Sequence, residues 1–223
     1  MQAIMESIFD ISYLITAAVF GILLLRKNER LFGIMTLLLA AGDAFHLVPR
    51  IIALNTDGIA NHAASLGFGT LVTSITMTFF YALLYVAYRL RYKLFEKPKH
   101  SDRRIFTTVY ILVLARIVLC LAPQNEWLSA DAPYMWGIYR NIPFLVLGLL
   151  MVVIFFIKRS DKQFRFMWLA ILLSFAFYIP VVLLADAYPL IGMLMLPKTI
   201  MYVWMIVMFY NSAKSKQGAV SGD

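Results

Sequence analysis

A chain of 223 residues that is 62% hydrophobic, 14% charged and of mean hydropathy +0.79 is no ordinary soluble domain. Its net charge of +8 does not form a nucleic-acid-binding stripe, because the basic residues cluster between long apolar runs, where a membrane protein keeps its topological charges. The single cysteine, Cys120, excludes a disulfide framework within the chain.

The first residues carry no basic run and no small-residue cleavage site, so they read as the start of a retained helix. A helix crosses a bilayer with about 20 mostly apolar residues. Seven segments qualify: 8–25, 31–54, 66–90, 104–122, 134–157, 164–185 and 188–210. The expected fold is an all-α membrane protein, one transmembrane bundle over 1–223 with a cytoplasmic tail at 211–223.

Charge sets the expected orientation. Arg26, Lys27 and Arg30 lie between segments one and two, and Arg89, Arg91, Lys93, Lys97, Lys99, Arg103 and Arg104 between three and four. Lys158, Arg159, Lys162 and Arg165 lie between five and six, and Lys214 and Lys216 in the tail. The loops on the other side, 55–65, 123–133 and 186–189, have no Lys or Arg but carry Asp57, Glu126, Asp131 and Asp186. The positive-inside rule then predicts the N-terminus outside and the C-terminus in the cytoplasm of a plasma membrane, of a kind that suits a bacterial inner membrane.

Residues 26–47 align without gaps on 158–179. Phe32/Phe164, Met35/Met167, Leu37/Leu169, Ala44/Ala176 and Phe45/Phe177 are identical, and Arg26/Lys158, Lys27/Arg159, Glu29/Asp161 and Arg30/Lys162 keep their charge sign. This predicts a parallel duplication: repeat one over 8–90, a linker helix over 104–122 and repeat two over 134–210. At the level of topology this three-plus-one-plus-three plan resembles SWEET/PQ-loop transporters and microbial rhodopsins. Fold analogy does not assign function.

Charged groups at membrane depth do more to indicate function. In segment two Asp43, His46 and Arg50 are spaced i, i+3, i+7 and share one helical stripe. At 1.5 Å per residue Asp43 lies about 18 Å from the cytoplasmic entry. It reads as the only acidic residue at such depth. Segment four brings Arg116. Segment five brings Arg140 and Asn141, followed by Pro143. Segment six brings Tyr178 beside Pro180, and segment seven Lys198 and Tyr202. Pro197 is expected to kink segment seven. Asp43 can neutralise one cation, Lys198 or Arg116, and the remaining positive charge calls for an anion.

The leading expectation is a transporter or receptor-like protein for a small or amphipathic anion. Arg116 and Lys198 would bind the anionic group, Asp43 would be the counterion or proton acceptor, and His46 a pH-sensitive neighbour. Expected partners are that ligand and membrane lipids, with no nucleic acid. Arg50 and Arg140 have a competing reading as residues that snorkel to lipid phosphates. Thr70, Thr73, Ser74, Thr76 and Thr78 read as helix-packing groups. Trp127, Trp136 and Tyr134 read as an interfacial aromatic belt.

Three histidines on separated segments (His46, His62 and His100) do not build a multi-histidine metal site, and no nucleotide or hydrolase motif appears, so no metal or cofactor is expected. Two alternatives stay open. Asp43 and His46 could form the acid–base dyad of an intramembrane lipid hydrolase, and the Gly42-Asp43 pair resembles lysoplasmalogenase-type enzymes. Lys198 could hold a retinal-type chromophore, since its place in segment seven resembles the opsin lysine.

Overall fold

The computed structural model describes residues 2–96, 100–185 and 187–220; Lys97, Lys99 and Asp186 lie outside the described residues. Seven α-helices follow in order: α1 (Gln2–Arg26), α2 (Arg30–Asn55), α3 (Ala63–Arg91), α4 (His100–Leu121), α5 (Tyr134–Ile157), α6 (Met167–Leu184) and α7 (Met195–Val220). Short 3-10 turns occupy Ile59–His62, Pro123–Asn125 and Pro189–Leu194. No strand occurs among the described residues. All seven helices are long and apolar enough to span a membrane.

Two boundaries differ from the sequence expectation. The α7 helix begins only at Met195, so Pro197 falls in its first turn. There the missing N–H would have had no helical partner anyway, and proline starts the helix instead of kinking it. Residues 211–220, expected as a tail, continue α7. The extension is held by Lys216 Nζ to Glu29 Oε1 at 2.7 Å and by Gln163 Nε2 donating to Ser215 Oγ at 3.0 Å.

The first helix shows how the sequence chooses its faces. Ile4, Ile8, Ile11, Ile15, Val19 and Ile22 form an exposed apolar stripe suited to lipid. Glu6, Asp10, Tyr13, Ala17 and Leu24 repeat at helical spacing on the other face and are buried. The helix ends where Asn28 takes the left-handed conformation (φ 59°), which lets Glu29 N–H reach back to the Leu24 carbonyl at 3.0 Å.

Contacts gather the chain into two compact units: Met1–Asp10 with Leu38–Leu147, and Ile11–Leu37 with Gly148–Asp223. In the first, Phe80, Tyr81, Leu84, Tyr85 and Leu147 are almost fully buried, and Tyr81 meets Phe144 edge-on at 5.3 Å. Here α2 and α3 pack backbone to backbone. Pro49 cannot donate to the Phe45 carbonyl one turn earlier, and that freed oxygen lies against Gly69, where any Cβ would collide with it. Thr73 Oγ1 donates to the Gly42 carbonyl at 2.9 Å, while Thr76 and Thr78 bond within their own helix. In the second unit Phe32 stacks on Phe209 at 4.6 Å, with Phe164 5.9 Å from Phe32. Met35, Met151, Met167 and Met205 fill the spaces around them with no exposure.

Candidate functional site

Arg116 is the largest fully buried side chain, 1% exposed on α4. Its Nη1 donates to the Arg140 carbonyl on α5 and to Asn141 Oδ1 at 2.7 Å. The guanidinium also sits 4.6 Å from the centre of the Phe144 ring. Its Nε has no hydrogen-bond partner, and no carboxylate among the described residues lies within ion-pair distance. Of the two cations weighed as partners of Asp43, Arg116 is instead surrounded by neutral dipoles and an aromatic face.

Arg140 sits beside it. Its Nη1 donates to Asn125 Oδ1 at 2.9 Å, and its guanidinium stacks 4.2 Å from the Trp127 ring. Asn125 is fully buried and donates from Nδ2 to the Leu119 and Ala122 carbonyls at 2.7 and 2.8 Å, which closes the end of α4. Trp127 Nε1 donates to the Cys120 carbonyl at 2.8 Å, so this tryptophan braces an arginine and is more than a belt residue. Gly67 on α3 leaves room for the Trp127 carbonyl, and from there α3 continues to Thr70, whose Oγ1 is 3.2 Å from His46 Nδ1. His46, Thr70, Trp127, Arg140 and Arg116 thus belong to one chain of contacts through α2, α3, α4 and α5.

Arg50 has a partner within the protein. Its Nη2 is 2.9 Å from Glu6 Oε2, and Glu6 is 5% exposed. One helical turn along α1, Asp10 is equally buried and lies within electrostatic reach of Arg50, Glu6 and Asp43. The reading of Asp43 as the only deep acidic residue is corrected, because Glu6 and Asp10 both belong to the buried face of α1. Asn55 Nδ2 donates to Ser7 Oγ at 2.9 Å and joins the same two helices.

In the second unit Tyr178, Lys198 and Tyr202 converge as expected. Lys198 is 7% exposed, with Nζ 4.4 Å from the centre of the Tyr178 ring and 5.7 Å from that of Tyr202.

Outside the membrane-spanning helices, Asp57 accepts from Thr56 Oγ1 at 2.9 Å and lies 2.7 Å from His62 Nε2. These bonds, Thr56 first, hold its carboxyl below the usual carboxylate range. Because the folded value is depressed, the order this clip gives to the 56–62 loop is present above the unfolded value of about 3.9 and is lost as pH falls through the lower, folded one. Amide exchange of residues 57–62 is expected to quicken only in that acidic window, and an unchanged profile in Asp57→Asn would refute the assignment.

Among the described residues, no three His, Cys, Asp or Glu side chains stand together as a metal site. Compared with family models, curated proteins and solved structures, the chain matches none of them.

Proposed function

We propose that this chain is an integral membrane protein that binds a small or amphipathic anion through Arg116, as a transporter or receptor. The observation that carries the proposal is a buried guanidinium with an unpaired Nε and no carboxylate beside it. A buried charge compensated only by dipoles keeps a positive field, and a carboxylate or phosphate complements it. Arg140 adds a second guanidinium, and Asn141 fixes the orientation of the first. Lys198 is given the same anion-binding role within its own unit, and within the first unit Asp43 is given that of proton acceptor, with His46 as a pH-sensitive neighbour. The loop charges support an N-terminus outside and a C-terminus in the cytoplasm of a plasma membrane. A duplicated origin is supported by Phe32 and Phe164, equivalent positions of the two halves that meet in one aromatic cluster.

Thermal unfolding of the purified protein with phosphate, acetate or a long-chain fatty acid, paired with native mass spectrometry, tests this reading. One of these anions is expected to raise the wild-type midpoint, and Arg116→Gln to weaken it about tenfold to a hundredfold, the worth of a charged hydrogen bond. Equal stabilisation of both proteins would remove Arg116 from the site. Turnover of a bound lipid ester that His46→Ala abolishes would replace the reading with a hydrolase.

A further inference from the structure

Asp10 is the least compensated carboxyl on α1. It is 5% exposed and makes no hydrogen bond or ion pair among the described residues. The charged groups within its electrostatic reach are Arg50 and Asp43 on α2 and Glu6 on its own helix. Glu6 and Asp10 are spaced i, i+4, so both lie on the face of α1 that meets α2. Arg50 is already engaged with Glu6 at 2.9 Å. A carboxylate at this depth without a hydrogen bond or a counter-cation of its own costs several kcal/mol, and such a group takes up a proton instead.

We propose that Asp10 is a proton-binding site within the membrane, and that Arg50 works as its switch. With Arg50 paired to Glu6, Asp10 carries its proton as a neutral acid. When Arg50 swings from Glu6 towards Asp10, the Asp10 O–H bond breaks, the proton leaves to water, and the carboxylate takes Arg50 as its partner. The guanidinium is thus exchanged between two carboxyls one helical turn apart, and one proton is released to water. This exchange does not depend on anion binding at Arg116, so the two readings stand or fall separately.

The test is pH-difference infrared spectroscopy of the full chain in lipid nanodiscs, read in the carbonyl-stretch region of protonated carboxylic acids. Wild type at neutral pH is expected to show a protonated carboxyl band that disappears on alkalinisation. The band should be absent in Asp10→Asn and kept in Asp57→Asn. Asp10→Asn keeps the shape of the neutral acid and is expected to fold. Should it not, wild type labelled with carboxyl-13C aspartate supplies the assignment, because only an aspartate band will shift. A wild type without a protonated carboxyl at neutral pH, a band that survives in Asp10→Asn, or a band that ignores the aspartate label would overturn the proposal.

Discussion

Gly69→Ala is expected to be among the most damaging single methyls that can be added to this protein. The new Cβ would meet the Phe45 carbonyl and the His46 Cα, which are backbone atoms with no rotamer to yield. Relief would require α2 and α3 to separate. That would strain the Thr73 bond to the Gly42 carbonyl and the contact of Thr70 with His46. Overpacking of this kind costs about 1–3 kcal/mol, and the rigid neighbours place it at the upper end. Alanine returns up to ~1 kcal/mol of helix propensity, which leaves a net loss of about 2 kcal/mol. Gly192→Ala is the control, because nothing lies within 4 Å of a Cβ there and the change should stay within about 0.5 kcal/mol. Unfolding of the two purified variants in a denaturing detergent compares them directly. If they lose equal stability, the close approach of α2 and α3 is wrong.

Arg50→Gln is expected to have the next largest effect. The substitution takes the Arg50 guanidinium away from Glu6, which is 5% exposed. Removing one partner of a fully buried pair costs about 3–5 kcal/mol. The Arg50 side chain is 31% exposed, so solvent screens the pair and about 2 kcal/mol is the better expectation. Glu6→Gln combined with Arg50→Gln removes both charges and should recover most of the loss, which a double-mutant cycle measures. A double variant as unstable as the sum of the singles would show that the two side chains act independently.

The same two helices show what was legible beforehand. The seven spans were, because a bilayer demands unbroken apolar runs of fixed length and the sequence supplies seven of them. The expectation that the deep polar groups share one cavity came from the cost of leaving them in lipid; Arg116 lies with Arg140 and Asn141, and Lys198 with Tyr178 and Tyr202, each set within its own unit. Glu6 fell before the apolar run begins and Asp10 within its first turn, so hydropathy alone gave neither a role. A helical-period reading would have found both, since Glu6, Asp10, Tyr13 and Ala17 trace one face opposite the isoleucine stripe. Asn125 carried no such signal. It lies in a loop, and only the folding of that loop back onto the end of α4 aims it at Arg140.

The sequence by itself determined the membrane class and the number of spanning helices, because each follows from how residues partition between lipid and water along one chain. Only the tertiary structure decided the partners: Glu6 for Arg50, carbonyl and amide dipoles for Arg116, the indole of Trp127 for Arg140. Partner choice depends on which helix faces meet and how closely. Here that closeness is set by Gly67 and Gly69, whose missing side chains acquire meaning only when another backbone arrives beside them.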